Sequence, residues 1–277
     1  MAINLADKAS PKVLERFTKR SVTEGLFSTK YDWTGVATVK VYTTDLLALN
    51  DYDKTKTDGS RFGVLTEVGD TVQEMTVVDD KAFNGSIDKG NNTAQLQIKA
   101  ASRILKENTD NVVIPYVDKY RLNKIAASAG TKVGNVSISK SNVIETLMKA
   151  KASMMNENVP ADNLVCYMGY TKAVELKLAD QVVGAEKLAV ESIVNGEAGL
   201  IDGMHMKFVP DSYLPEGCVF LIVRRGSCCA PAKVQTYRIL EEHPDIDGHV
   251  VQGRLLHDCF VLETHAKAVY AAYSTAI

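Results

Sequence analysis

Apolar residues along this chain change period several times, and each change marks a new element. Val39, Val41 and Thr43 alternate within Trp33–Leu49, while Val64, Leu65, Val68, Val72, Met75, Val77 and Val78 line Gly63–Val78. Alternation of this kind predicts strands, so residues 31–80 read as a long β-hairpin. Between the arms, Asp51–Arg61 is polar and forms the tip. At about 3.3 Å per residue each arm would reach on the order of 50 Å. An isolated ribbon of that length is not stable in water, so it must lie on another surface, in its own chain or in a partner. Edge strands this long also invite pairing with other chains.

Helical spacing takes over in residues 91–130. Ala94, Ile98, Ala101 and Leu105 repeat at that period, and Val113, Val117, Tyr120, Leu122, Ile125, Ala126 and Ala129 continue it. Gly130 supplies a stop. Pro115 lies inside the pattern, which predicts a break or kink near Asn108–Ile114. Residues 136–232 alternate helix and strand: a helix capped by Ser141 or Asn142 with apolar Ile144, Leu147, Met148 and Met155, then Leu164–Met168 as a buried strand. Thr171–Ala179 reads as a short helix, and His205–Val209 and Val219–Val223 as two more strands. Gly196, Gly199 and Gly203 punctuate the loop before Met204. Near the end, Val234–Leu240 and Leu255–Thr264 flank the polar turn Pro244–Gly248, predicting a second hairpin with Asp-Gly turn chemistry and then a terminal strand. At the other end, Ser10 and Pro11 open a short helix with an apolar stripe of Val13, Leu14 and Phe17. Such a helix is marginal alone and needs a surface, either its own domain or a neighbouring subunit.

Composition narrows the classes. A chain of 277 residues buries roughly 75% of its unfolded surface, so core size is no limitation. With 45% apolar and 24% charged residues it is an ordinary globular chain. A formal net charge of -2 excludes a basic, nucleic-acid-coating protein. Asp7 and Lys8 interrupt any secretory apolar region, and the longest apolar run, Cys218–Val223, is far too short to span a bilayer. The five cysteines form no C-x-x-C pair and are odd in number, which fits buried thiols in a reducing compartment. The expectation is a soluble protein made inside a cell, without a membrane partner.

Candidate chemistry is sparse. Gly196, Gly199 and Gly203 match neither phosphate-binding fingerprint and read as a turn before a strand. Ser227 sits between an arginine-glycine pair and cysteines, not in a nucleophile elbow. His243, Asp245, Asp247 and His249 crowd one turn, and Asp-x-Asp-Gly resembles the start of a calcium loop, but the later ligands and closing glutamate are missing. Turn-forming acids explain these residues more simply. His257 and Cys259 would share a strand face; without further ligands they read as a partly buried histidine and a core thiol. Cys228-Cys229 lacks a resolving partner for redox work. The basic face of Lys12, Arg16, Lys19 and Arg20 reads as solvated rather than phosphate-binding. None of the 34 carboxylates sits in a recognisable acid–base frame. The expectation is no catalytic, cofactor-binding or metal-binding residue, no cofactor, and no enzyme.

Segments in a fixed order resemble the major capsid protein of tailed bacteriophages, the α+β fold named for phage Hong Kong 97. Trp33–Val41 (WTGVATVKV), with a polar tip containing Asp51-Tyr52, resembles the extended E-loop. Asn111–Ala126 (NVVIPYVDKYRLNKIA) resembles the spine-helix region, with its apolar-Pro-x-x-Asp-x-Tyr pattern. Gly199–Pro210, followed by Leu214-Pro215, is similar to the axial-domain strand, and His243–Gly248 with Gly253-Arg254 and Asp258–Leu262 to the C-terminal ending. The resemblance implies an N-terminal arm over 1–30, an E-loop hairpin over 31–80, a peripheral domain over 81–135 and 236–277, and an axial domain over 136–235. It further implies pentamers and hexamers of identical copies in an icosahedral virion shell around double-stranded DNA, made in the host bacterial cytoplasm. A scaffolding protein, a portal and decoration proteins are the implied partners. Some members crosslink a lysine to a neighbour's asparagine with help from a glutamate; no such trio is placed here. A near-neutral charge suits a wall that must not grip its DNA tightly. An encapsulin-type compartment, which shares the fold, is the alternative.

Overall fold

A computed structural model describes residues 21–29, 38–94, 100–179, 199–241 and 244–276. The helix expected from Ser10, the first residues of the first hairpin arm, Ile98, Gly196 and His243 lie outside them. The chain divides into two compact units, Trp33–Thr76 and a body of Met1–Asp32 with Val77–Ile277.

The smaller unit is the expected hairpin. β1 (Thr38–Thr44) pairs antiparallel with β2 (Asp70–Thr76), from Thr38 opposite Thr76 to Thr44 opposite Asp70. Each strand is seven residues long, shorter than the alternation predicts. Past Asp45, whose N–H still reaches Gly69 O at 2.9 Å, the ladder stops. Leu46-Leu47 and Val64-Leu65 are adjacent apolar pairs rather than alternating positions, so no strand face can collect them.

In the body, β3 (Asp79–Asp88) leads into α1 (Lys89–Ala94), then α2 (Ala101–Asn108) and α3 (Ile114–Ala127). The break expected around Asn108–Ile114 is a single π turn, Thr109–Val113, and the residues on both sides keep helical dihedrals. Pro115 has no N–H for the helix ladder, and the wider turn absorbs the mismatch. Two side chains supply extra donors nearby: Thr109 Oγ1 to Leu105 O and Asn111 Nδ2 to Glu107 O, both at 2.9 Å. The helix does end before Gly130, but not through a left-handed glycine. A Cβ on Gly130 would lie 2.6 Å from the Ala266 carbonyl, so the residue is small because backbone passes against it.

β4 (Thr131–Val133), α4 (Val143–Asn156), β5 (Leu164–Gly169), α5 (Tyr170–Lys177), β6 (Leu200–Ile201), β7 (Met204–Val209), β8 (Cys218–Arg224), β9 (Cys228–Cys229), β10 (Ala232–Leu240), β11 (Gly248–His257), β12 (Phe260–Val261) and β13 (Val269–Tyr273) follow. A six-stranded mixed sheet runs β4-β13-β8-β5-β7-β6. Asp202 and Gly203, both at positive φ, turn β6 into β7. That is the turn-before-a-strand reading of Gly203, with Asp-Gly supplying the dihedrals.

Alternate residues of the sheet feed two cores. Cys166, Met168, Phe220, Ile222 and Ala272 pack with Leu147, Ala150 and Met154 of α4 and Leu176 of α5. Val165, Tyr167, Leu221, Val223 and Ala271 pack with Leu122, Ile125 and Ala126 of α3 and with Leu26. Both faces are covered, which is why β5 and β8 read in sequence as unbroken apolar runs. Met148, expected on the buried stripe of α4, is exposed; Val143, Leu147, Ala150 and Met154 form that stripe.

A three-stranded sheet, β10-β11-β3, carries the second hairpin. Its returning arm begins at Gly248 and ends at His257, not over Leu255–Thr264 as the sequence predicts. Gly248 pairs with Asp88 of β3, and a Cβ there would fall 2.1 Å from Ile87 O, so pairing with β3 starts immediately after the turn. Residues 258–259 leave the ladder, and Phe260-Val261 pair instead with Cys229-Cys228.

Candidate assembly elements

The hairpin unit presents apolar side chains that nothing in it covers. Leu46, Leu49 and Leu65 are 96%, 101% and 97% exposed, and Leu47, Phe62, Val64 and Tyr42 are also exposed. Its tip nevertheless has defined local geometry. Asp53 accepts Thr55 Oγ1 at 2.7 Å and Thr55 N at 2.9 Å, and Asp53 N reaches Arg61 O at 3.2 Å. The Thr55 hydroxyl, then its backbone N–H, hold the Asp53 carboxyl below its ordinary pKa. Tyr52 and Phe62 meet edge to face, with ring centroids 5.0 Å apart. The tip is thus a turn held by its own hydrogen bonds, on a unit that leaves several apolar side chains exposed.

In the segment ahead of the hairpin, several bonds converge on one carboxylate. Asp118, buried midway along α3, accepts Ser21 Oγ at 2.7 Å, Thr23 Oγ1 at 2.6 Å and Val22 N at 2.9 Å. Lys207 Nζ and Tyr167 OH both donate to Val22 O, at 2.7 and 3.3 Å. Two backbone bonds complete the attachment, Ser28 N to Cys228 O and Gly226 N to Leu26 O at 2.8 Å each. Sequence reasoning placed residues 1–30 in a docking arm; its last described part, 21–29, docks on its own body. Asp118 was missed, although an acid four residues ahead of Leu122 within an apolar helical stripe was a usable signal.

A second polar cluster closes the join between β3, α3 and the turn after β11. Asp258 accepts Tyr120 OH at 2.9 Å, Cys259 N at 2.8 Å and Val78 N at 3.2 Å. Tyr116 OH donates to Asp79, 3.1 and 3.0 Å from its two oxygens. Burial first, then the Asp79 bond, pushes the Tyr116 hydroxyl up to about 12; burial and Asp258 raise Tyr120 further.

Of the ligands nominated from the turn, His243 lies outside the described residues. His249 pairs with Ile87 within the β11–β3 ladder, and Asp247 O accepts Lys89 N at 2.8 Å. Among the described residues, no three His, Cys, Asp or Glu side chains are arranged to hold a metal ion. His257 is fully buried rather than partly buried. No disulfide joins the five cysteines. Burial pushes the Cys228 thiol up to about 12 and Cys229 to about 11, and drives Cys259 well above its ordinary value. These are protonated core thiols, not nucleophiles. No helix among the described residues is long and apolar enough to cross a membrane.

No protein-family model matches the chain, and no curated protein is similar to it in sequence. Solved structures are similar in fold. A capsid structure of the cyanophage P-SCSP1u superposes with a TM-score of 0.76 at 13% identity, covering 97% of this chain and 92% of that one. The bacteriophage PhiM1 mature capsid gives 0.76 at 8% identity, with 97% and 91% covered. A structure from Mycobacterium phage Che8 gives 0.73 at 14% identity, with 98% of both chains covered. The chain therefore has the mixed α+β fold of tailed-phage capsid proteins over nearly its whole length.

Proposed function

We propose that this protein is the major capsid protein of a tailed phage, assembling with identical copies into an icosahedral shell that encloses double-stranded DNA. The observation that carries this reading is the uncovered apolar row of the hairpin unit, on a fold otherwise met in phage capsids. Covering one leucine from water is worth about 1.5–3 kcal/mol, so several such residues favour association strongly. On this reading 1–30 is the N-terminal arm, 31–80 the E-loop, 81–135 with 236–277 the peripheral domain built on α2 and α3, and 136–235 the axial domain. Pentamers and hexamers are the assembly units, with a scaffolding protein, a portal and decoration proteins as partners, and synthesis in the host cytoplasm. The role is structural and non-catalytic. An encapsulin-type shell is disfavoured, because the similar structures are phage capsids.

Electron microscopy of the purified full-length chain, alone and co-expressed with its scaffolding protein, tests the proposal. Closed particles are the expected result. A chain that stays monomeric at high concentration in both settings would overturn it. Nuclease-protected double-stranded DNA inside infectious particles, and not cargo protein, is the outcome that fits a phage shell.

A further inference from the structure

One face of the three-stranded sheet has no role in the reading above. In the β10-β11-β3 ladder Arg238 stands opposite Gln252, and Gln252 opposite Asn84. In the next row on this face Thr236 stands opposite Arg254, and Arg254 opposite Ala82. Alternation sends the side chains between these rows the other way. There Phe83, Tyr237 and Leu255 line a groove with Val113 of the π turn and Tyr116 of α3. The two rows themselves line a concavity of about 450 Å³, with Gly253 and Ala82 as its small residues.

No carboxylate lines that concavity. Arg238 Nε donates to Gln252 Oε1 at 2.8 Å, which occupies the amide oxygen and leaves the amide NH2. Arg254 spends Nε and one terminal nitrogen on Asp80, at 3.1 and 2.6 Å. Among the described residues, the terminal nitrogens of Arg238, the second one of Arg254 and the amide nitrogens of Gln252 and Asn84 are left without an acceptor. Both arginines are exposed. Guanidinium forks beside amide NH2 groups are the donor set that meets phosphate oxygens along a nucleic-acid backbone. A planar fork also gives up less freedom per bond than an ammonium on a flexible stem.

We propose that this face of the sheet is a phosphate-backbone contact for the double-stranded DNA inside the shell, with Arg238 as its principal donor and Arg254, Gln252 and Asn84 beside it. The proposal rests on the shell reading above and adds to it the surface of the wall that meets DNA. Phosphates carry no sequence information, so the contact is sequence-independent. Two guanidinium groups per copy, one of them already paired with Asp80, grip weakly, and the contact gains strength by repetition over many copies.

Anisotropy of a short labelled DNA duplex, titrated with full-length unassembled chain from about 20 to 200 mM salt, tests this. Wild-type binding should be weak and fall with salt, with a log–log slope of about 2 in magnitude. Arg238→Gln should lose about tenfold at the lowest salt and reduce the slope by about 1. Arg238→Lys, which keeps the charge, should retain most of the binding. Lys149→Gln, which removes an exposed charge from α4, should change it by less than about twofold. Absence of salt-sensitive binding by wild type, or equal losses in Arg238→Gln and Lys149→Gln, overturns the contact. Displacement of the duplex by polyglutamate at equal charge concentration also overturns it and assigns the face to a carboxylate-bearing partner. Closed particles from a chain that gives any of these results would leave the shell reading standing without this contact. Duplex binding through Arg238 by a chain that never assembles would instead remove the shell reading.

Discussion

Thr23 Oγ1 donates to Asp118 Oδ1 at 2.6 Å, joining residues 95 positions apart where both are shut off from water. Two further donors, Ser21 Oγ and Val22 N, converge on the same carboxylate. A buried charge is tolerated when its lone pairs are used in this way, and it becomes a liability when its partners are lost.

Asp118→Ala should therefore lower unfolding free energy by about 3 kcal/mol, because one backbone N–H and two hydroxyls lose their acceptor together. Asp118→Asn should recover only part of this, since the amide NH2 must face a donor. Urea unfolding of the unassembled chain by circular dichroism gives the comparison. An alanine variant with an unchanged midpoint would show that residues 21–23 are held by other contacts.

Two glycines separate backbone crowding from side-chain crowding. A Cβ on Gly130 meets the Ala266 carbonyl at 2.6 Å, while one on Gly253 meets Phe83 at 2.3 Å and Tyr237 at 2.8 Å. Phe83 lies on the edge strand β3 and can swing outward; the Ala266 backbone is fixed by the Gly130 N–H at 3.0 Å. Gly130→Ala should cost at least about 3 kcal/mol and Gly253→Ala about 1–2 kcal/mol. Adding Phe83→Ala should relieve only the second. Thermal melts of the variants would contradict this ordering if Gly253→Ala proved the more damaging.

The thiols should be silent in the native chain. Burial raises Cys218 and Cys228 to about 12, and Cys166 and Cys259 are raised as well. Aromatic disulfide reagent at about pH 8 should label none within minutes, since only the thiolate attacks. All five should react once the chain is denatured. Rapid labelling of Cys228 or Cys229 under native conditions would reopen a redox role for the pair.

Periodicity made most of the body legible. β5 and β8 declared themselves as apolar runs, Pro115 located the π turn, and Gly203 marked the turn before β7. What stayed hidden depends on distant partners. The boundary of β11 is set by pairing with β3, so Gly248–Arg254 became strand although its own sequence reads partly as turn. Met148 lost to Ala150 and Met154 because the helix presents a face rotated from the one its larger side chains marked. Asp118 and His257 could be seen as an acid and a histidine among apolar residues. Their meaning came only from segments roughly a hundred or more positions away, the N-terminal segment for one and β3 for the other.

The hairpin gives the sharpest division between folding and association. Leu46, Leu49 and Leu65 are almost wholly exposed, so serine at all three should leave the unfolding midpoint within about 0.5 kcal/mol of wild type. Particle yield should nevertheless fall by an order of magnitude or more, because each leucine withdraws roughly 1.5 kcal/mol or more of burial from every contact it makes in a shell. Deleting Asp53–Ser60 should behave alike, since the tip bonds to itself through Asp53, Thr55 and Arg61. Sedimentation of soluble chain against assembled particles measures both effects in one experiment. If the triple serine variant instead unfolds while wild-type chain never forms particles, the leucines belong to an intramolecular core, and the apolar row is not an assembly surface.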